Sequence, residues 1–336
     1  MYETDQSGSN EFSNTQNILS VYNNYQFGIK SWRFQTGVRM EHTTTDADFV
    51  SNTTAIHQEY FNVITSISVS KTLKNKASLN AGFSQRIKRP GINRLNPFVD
   101  KSNPNFESTG NPGLQPVVNY DMMLGYNISK KISFNFAVTY SFSNNIDLKI
   151  STFDPVSNIT FTSYQNTGHA SRLGLDYNIG YPVSEKLNLA INGNIANFWI
   201  NGFADNRPVE NNMFTYFFAL NGSYQFNNGW QTGAEINAIS KNPAGLQNIA
   251  NGLFGSSLSV SKSLMNNKLS FSAYANNVFT KFRNNRTTSF GYNFRQTYQV
   301  SEYFRAYGFS ISYKFGKLKE GLKRNRRTIR NDDVSN

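Results

Sequence analysis

Cysteine is absent from the 336-residue chain, which excludes disulfides, thiolate metal sites and cysteine nucleophiles together. Charged residues are scarce, at 16% against about 25% in ordinary soluble domains. No run approaches the roughly 18 to 20 apolar residues of a membrane-spanning helix, so helical membrane proteins are excluded. The amino terminus lacks the basic and apolar regions of a signal peptide. We therefore expect either a cytosolic protein or a chain that begins downstream of its natural start.

Residues that carry catalysis or bind metals are also rare. The chain has three histidines, His42, His57 and His169, with no His-x-x-x-His or Glu-x-x-His pair, so general-base and metal chemistry have little to work with. His42 and His57 flank a segment with Asp46 and Asp48 that could bind a cation if strand pairing joined them, but the solvated polarity of a loop explains these residues more simply. No phosphate loop, dinucleotide fingerprint or Gly-x-Ser-x-Gly motif is present. We expect no catalytic activity and no cofactor.

What the chain has is alternation of apolar and polar residues, which is typical of strands between two unlike environments. Residues 132–142 place aromatic and aliphatic side chains at even positions and mostly Ser, Asn and Thr at odd ones. The pattern predicts about thirteen strands, near 17–29, 32–45, 59–70, 77–86, 117–128, 132–152, 159–181, 187–203, 212–226, 230–240, 253–263, 268–286 and 302–315. Many exceed the five or six residues usual in soluble proteins and match the roughly ten needed to cross a bilayer as tilted strands.

The predicted connections alternate in length, as expected for an outer-membrane barrel with short periplasmic turns and longer outer loops. Short links fall at 30–31, 71–76, 129–131, 184–186, 227–229 and 264–267, and mostly longer links at 46–58, 87–116, 153–158, 204–211, 241–252 and 287–301. Aromatic residues such as Trp32 and Trp230 lie beside the short links, where an interfacial belt belongs. The sequence therefore predicts an all-β, antiparallel transmembrane barrel.

Several charged residues have the polar parity of their strands, so we predict that they face the lumen. They are Arg33, Arg39, Glu41, Asp121, Asp176 and Glu235. Such side chains could contact a plug or a passing solute, or could simply be hydrated in a water-filled interior. The alternation does not distinguish these roles.

The long link after the fourth strand carries three spaced motifs: Gln85-Arg86-Ile87-Lys88-Arg89-Pro90, Asn93-Arg94-Leu95-Asn96-Pro97-Phe98 and Gly110-Asn111-Pro112-Gly113-Leu114-Gln115-Pro116. In order and spacing they resemble the TonB-dependent receptors of Bacteroidota, in particular the outer membrane β-barrel family proteins. The closing segment 310–316 and the basic residues after it resemble that family too. Val117 stands where the family usually has Glu, so no contact of that Glu is expected here.

The resemblance implies an active transporter that takes up a scarce solute, such as a siderophore, cobalamin, glycan or peptide. It places candidate ligand contacts in the motif segment, at Arg86, Arg89, Arg94, Asn96 and Asn111. It also implies a barrel of about 22 strands, a plug, the TonB complex and, in some members, a surface lipoprotein as partners. About thirteen strands with no plug before them predict the carboxy-terminal portion of such a barrel, because bacterial single-chain barrels are even-stranded.

We accordingly divide the chain into an outer loop or truncated start (1–16), barrel strands (17–316) and a basic periplasmic tail (317–336). The tail supplies much of the net charge of +12; against a membrane it would meet lipid phosphates, and we do not expect nucleic acid. Two alternatives remain at this point. One is a self-contained outer-membrane channel, and the other is a soluble β-sandwich adhesin.

Overall fold

The computed structural model describes residues 11–50, 54–315 and 334–335. In chain order its strands are β1 (Phe12–Ile29), β2 (Trp32–Phe49), β3 (Thr54–Thr72), β4 (Ser78–Pro90), β5 (Asp100–Asn103), β6 (Phe106–Ser108), β7 (Val117–Ser129), β8 (Ser133–Asn144), β9 (Asp147–Asp154), β10 (Ile159–Asn166), β11 (His169–Pro182), β12 (Leu187–Ala204), β13 (Arg207–Glu210), β14 (Met213–Gln225), β15 (Trp230–Ile239), β16 (Asn242–Pro243), β17 (Asn248–Ala250), β18 (Leu253–Leu264), β19 (Leu269–Asn276), β20 (Phe282–Phe290), β21 (Arg295–Tyr303), β22 (Ala306–Tyr313) and β23 (Val334–Ser335). A one-turn helix, α1 (Ile92–Leu95), and a 3-10 turn at Asn227–Gly229 complete the described elements. Within those ranges, no helix is long and apolar enough to cross a membrane.

One large antiparallel sheet dominates the fold. Its main path runs β1-β2-β3-β4-β7-β8-β11-β12-β14-β15-β18-β19-β22, so each of the thirteen strands pairs with the nearest preceding strand of the path. This confirms the predicted all-β, antiparallel class and the strand count. The order is that of an up-and-down meander, in which successive strands are joined at alternating ends.

The two faces of this sheet differ as the alternation requires. One face carries large apolar side chains that remain exposed, including Met40, Leu124, Val138, Leu258 and Ile311. The opposite face carries mostly Ser, Asn, Thr and charged residues. A soluble two-sheet sandwich would bury its apolar faces against each other, so the structure contradicts the adhesin alternative.

Short turns close one end of the sheet, which we call the short-turn end. There Lys71 Nζ lies 4.6 Å from the ring centroid of Trp32, and Lys262 Nζ lies 5.2 Å from that of Trp230. Trp and Lys side chains both combine an apolar body with a polar tip, so this pairing suits a membrane interface.

The opposite end, which we call the loop end, holds two further small sheets. Their orders are β5-β6-β10-β9 and β16-β17-β20-β21, and β13 pairs with β12 nearby. Two buried apolar clusters lie here, one around Phe49 and Leu114 and the other around Leu148 and Leu246. The packed core of the described chain therefore lies at the loop end, and the strands of the large sheet have one polar face and one apolar face.

Four predicted boundaries are corrected. The predicted strands 132–152, 159–181 and 268–286 each divide in two, because the chain turns near Asn145, Gly168 and Asn277, which have positive φ values of 52°, 69° and 55°. The separate strands that result, β9, β10 and β20, join the small sheets at the loop end. The predicted outer loop 46–58 is mostly strand, since β2 continues to Phe49 and β3 begins at Thr54.

The two terminal parts of the predicted division fall mostly outside the described residues. Residues 1–10 and 316–333 are not described, while β1 begins at Phe12. The short β23 pairs in parallel with Arg89 and Pro90. The outer position of the first segment and the periplasmic position of the tail stay predictions.

Candidate functional site

The motif-bearing link forms a compact loop that folds onto the polar face of the sheet. We call residues 91–116 the proline loop. Its Leu95 and Leu114 are buried against Ala47, Phe49 and Ile56 at the tips of β2 and β3. Gln58 Nε2 also donates to the carbonyl oxygens of Pro112 and Leu114, each at 2.9 Å. The loop end of β2 is therefore covered from the lumen side.

The end of β4 reaches the lumen side of β2 because β4 separates from β3. Pairing of β3 with β4 ends at Ser66 and Ser84, although β3 extends to Thr54 and β4 to Pro90. Gln85 Oε1 occupies the branch point, where it accepts from Thr65 N at 2.9 Å and Thr65 Oγ1 at 2.7 Å. Beyond it, the last residues of β4 turn over the face of β2.

This turn buries an ion pair that the sequence did not reveal. Arg89 is 0% exposed and Glu41 is 1% exposed, and Arg89 Nη2 donates to Glu41 Oε2 and, at 3.3 Å, to Thr43 Oγ1. Arg39 Nε pairs with the other Glu41 oxygen from a half-exposed position. The guanidinium also lies 6.0 Å from the ring centroid of Tyr60. As placed, Arg89 ties β4 to β2 and is closed to a solute.

Of the remaining motif residues, Arg94 and Asn111 bond to neighbouring elements, and Asn96 bonds within the loop. Arg94 Nη1 donates to Asp147 Oδ2 at 2.5 Å and lies 5.2 Å from the ring centroid of Tyr164. Asn111 Nδ2 donates to Tyr164 O at 2.8 Å. Asn96 Oδ1 accepts from Phe98 N at 3.0 Å. Asp147 and Tyr164 were missed from the sequence, because residues 132–152 and 159–181 each read as one barrel strand.

Close backbone contact explains a glycine in the third motif. Gly110 N donates to Asn96 O at 2.8 Å, and Asn111 N donates to Arg94 O at 2.6 Å. A Cβ on Gly110 would lie 2.5 Å from both the Arg94 and the Asn96 carbonyl oxygens. The spacing between the second and third motifs is therefore fixed by backbone pairing within the loop.

Arg86 differs from the other candidate ligand contacts because it is exposed. It lines a cavity of about 500 Å³ on the polar face, together with Gln35, Ser84, Asp121 and Ser141. Contact of Arg86 with a solute stays a prediction.

The six charged residues predicted on the lumen side all lie on one face. Residues paired across neighbouring strands point to the same side of a sheet, and the register links Glu41 with Asn62, Ser84 with Asp121, and Glu235 with Asn221. Side chains two residues apart on a strand share a face, so Arg33, Arg39 and Asp176 lie on this face too. It is the face that the proline loop covers.

Three of the six residues have a polar or charged partner close by. Ser141 Oγ donates to Asp121 Oδ1 at 2.6 Å, Arg172 Nη2 lies 3.7 Å from Asp176 Oδ1, and Asn237 Nδ2 donates to Glu235 Oε1 at 3.1 Å. Contact of these six residues with a plug or a solute stays a prediction.

The acidic and histidine residues near the β2–β3 tip form pairs. His57 Nδ1 lies 2.6 Å from Asp46 Oδ1, and His42 Nε2 lies 2.7 Å from Glu59 Oε1. The hydrogen bond and the negative charge of Asp46 raise the pKa of His57 above its ordinary value of 6.5. Among the described residues, no group of three or more His, Cys, Asp or Glu could hold a metal ion.

Solved structures with similar folds include an uptake receptor and metal transporters. They include the ferric yersiniabactin uptake receptor FyuA from Yersinia pestis (15% identity, TM-score 0.63, covering 91% of this chain and 47% of that one). The FrpB iron transporter from Neisseria meningitidis matches at 13% identity and a TM-score of 0.64, over 91% and 45%. The copper transporter OprC matches at 14% identity and a TM-score of 0.69, over 90% and 50%. At these identities the likeness establishes the fold.

This chain thus spans about half the length of those structures. A comparison with curated protein sequences finds no match. A sequence model of the outer membrane protein beta-barrel family, however, matches residues 1–313. The match covers nearly the whole chain and agrees with the antiparallel sheet, its exposed apolar face and its polar lumen side. The chain belongs to the outer membrane protein beta-barrel family.

Proposed function

We propose that this chain is the carboxy-terminal barrel portion of a TonB-dependent outer-membrane receptor that takes up a scarce solute. In this proposal the loop end faces the cell exterior and captures the solute, and the last barrel strand, β22, ends at the periplasmic short-turn end. The solute is a siderophore, cobalamin, glycan or peptide, and no chemical reaction is catalysed.

The observation that carries the proposal is the open pairing of the two outermost strands. Within the described residues, β1 pairs with β2 and β22 pairs with β19, and neither has a second neighbour. Because thirteen is odd, β1 and β22 run in the same direction and could close only as a parallel pair. Outer-membrane barrels close through antiparallel pairs of an even number of strands, so further strands between these two edges would complete the barrel.

The lengths of the similar structures support the same reading. FyuA, FrpB and OprC are each roughly twice as long as this chain, whereas the chain itself is matched over 90% or more. Their names describe uptake of ferric yersiniabactin and transport of iron and copper. By analogy, a plug and the TonB complex would act with the missing part, lipid would surround the apolar face, and a surface lipoprotein could cover the loop end.

The test is the intact mass of the mature polypeptide in outer membranes prepared from the native organism. We expect a mass about twice the 38.0 kDa of this chain or more, with peptides from residues 54–315 in the same molecule. A mature polypeptide near 38 kDa that migrates as a folded barrel and conducts ions in planar bilayers would instead establish the self-contained channel.

A further inference from the structure

One cavity of the loop end lies outside the motif segment. It has a volume of about 570 Å³, within the range of small-molecule sites. Residues from the β15–β18 connection and from the β20–β21 hairpin line it. None of these residues belongs to the three motifs.

Its charge is of one sign. Lys241, Arg286 and Arg295 line the cavity, and its lining contains no Asp or Glu. Among the described residues, these three side chains have no ion pair and donate no hydrogen bond. Like charges collected without counterions repel one another, so an anion that enters the cavity would relieve that repulsion.

The register of the hairpin places hydroxyl groups between the cations. Thr288 pairs with Thr297, and Phe290 pairs with Arg295, so Arg286, Thr288, Arg295 and Thr297 share one face of the hairpin. The two hydroxyls supply donors between two guanidinium groups. Guanidinium groups and hydroxyls together suit the oxygens of carboxylates and phosphates.

The other face of the same hairpin is electrostatically balanced. There Arg283 Nη2 donates to Glu302 Oε2 at 2.8 Å, and Asn285 Nδ2 donates to the same oxygen at 3.1 Å. The adjacent cavity beyond Phe290 contains Asp205 and Glu210 as well as Arg207. Arg283 pairs with Glu302 and Arg207 shares its cavity with two carboxylates, whereas the cavity of Lys241, Arg286 and Arg295 has cations alone.

Met213, the β14 residue that lines the cavity, lies on the lumen side of the sheet. It has the same strand parity as Thr215 and Asn221, and Asn221 pairs with the lumen-side Glu235. A ligand here would therefore come from the solute stream. The phosphates of surrounding lipid would approach the opposite, apolar face.

From this geometry we propose that Lys241, Arg286 and Arg295 form a binding site for a multivalent oxyanion, a polycarboxylate or polyphosphate group carried by a soluble ligand. The inference rests on the proposed function, because it names the chemical class of the solute. Lys241 and the two arginines neutralise the ligand's charges, and Thr288 and Thr297 donate to its oxygens.

The experiment is calorimetric titration of the polypeptide purified from native outer membranes in a non-ionic detergent. The probes are citrate and tripolyphosphate, with acetate as the monovalent control. We expect the multivalent probes to bind and acetate not to bind detectably. The triple variant Lys241→Gln, Arg286→Gln, Arg295→Gln should weaken multivalent binding by about 30-fold or more, with each single variant contributing about threefold, since charge-assisted bonds at an open site are individually modest.

A matched control removes the same charge from the other end of the sheet. Lys130, Lys131 and Lys268 are exposed at short turns, and their triple replacement by Gln should change affinity by less than about twofold because they lie far beyond a Debye length of roughly 10 Å. Folding of every variant is checked by heat-modifiable migration. If the triple variant does not fold, the single variants decide.

The proposal is overturned by either of two results: no binding of either multivalent probe, or equal binding by the wild type and the cavity variants. If neither probe binds, the same titration with vesicles containing lipopolysaccharide follows, and binding to them would assign the cations to lipid phosphate. This readout is separate from the mass measurement, because a polypeptide of 38 kDa could still bind citrate through this cavity, and a longer one could fail to.

Discussion

Replacing Glu41 by alanine removes the carboxylate to which Arg89 donates at full burial. With side chains only 1% and 0% exposed, the pair has little water to screen it, and breaking such a buried pair from one side costs about 3 to 5 kcal/mol. Arg39 is half exposed, so hydration replaces its lost contact at a cost of about 0 to 1 kcal/mol. Most of the lost free energy of stabilisation therefore comes from the buried contact between Arg89 and Glu41.

We expect this cost to appear as opening of the loop end and not as unfolding of the barrel, because the pair joins β4 to β2 where direct strand pairing is absent. A loss of 3 to 5 kcal/mol raises the opening constant by about 150-fold to a few thousand-fold. Hydrogen exchange of the amides of Asn96, Gly110 and Asn111 measures it, because all three bonds lie within the proline loop and exchange follows local opening.

Two variants separate the charge from the packing. The double replacement of Glu41 by Leu and Arg89 by Met should restore most of the protection, since apolar residues of similar volume often replace a buried pair at little cost. Glu235→Ala, on the same face but bonded mainly to Asn237, should change exchange of these amides by less than about twofold. Unchanged exchange in Glu41→Ala would refute the claim that this pair holds the loop.

Two further predictions concern the same end of the molecule. Gly110→Ala should destabilise the proline loop by about 2 kcal/mol or more, because its Cβ would meet two backbone carbonyl oxygens at 2.5 Å; Gly82→Ala, whose nearest atom is at 3.8 Å, is the control, and equal exchange in the two variants would contradict the reasoning. The raised pKa of His57 means that its pairing with Asp46 stabilises the β2–β3 tip fully below pH 6.5 and that this contribution is lost as the pH rises through the folded-state pKa. An NMR titration of His57 should show its midpoint fall in Asp46→Asn, and an unchanged midpoint would exclude Asp46 as the cause.

Alternation predicted the thirteen strands and their order well because a barrel strand has lipid on one side and water on the other. The same signal failed at residues 132–152, 159–181 and 268–286, where β9, β10 and β20 also have two unlike faces in the small sheets. Alternation with a period of two residues indicates that the two faces of a strand differ, but it does not indicate which sheet the strand joins. The turns were nevertheless marked locally, since Asn and Gly adopt positive φ readily and Asn145, Gly168 and Asn277 do so here.

The burial of Arg89 could not be predicted from its strand. Its parity is that of Phe83 and Ile87, which belong to the apolar face, so the alternation would place its charge toward lipid. The structure avoids that cost because β4 stops pairing with β3 at Ser84 and turns inward. Such a departure depends on long-range packing of the proline loop on Phe49 and Ile56, and no local pattern encodes it.

The motif residues and the cavity cations illustrate two different relations between sequence and recognition. Arg94, Asn96 and Asn111 lie at fixed spacing because each bonds to the loop backbone or to a neighbouring element, so their pattern describes how the loop folds. Lys241, Arg286 and Arg295 lie far apart in the chain and form no pattern, yet hairpin register brings them to one cavity. A solute can bind only side chains whose donors and acceptors are not already bonded within the protein. We therefore expect substitutions in the proline loop to alter uptake through folding, and substitutions in the cavity to alter which solute is bound.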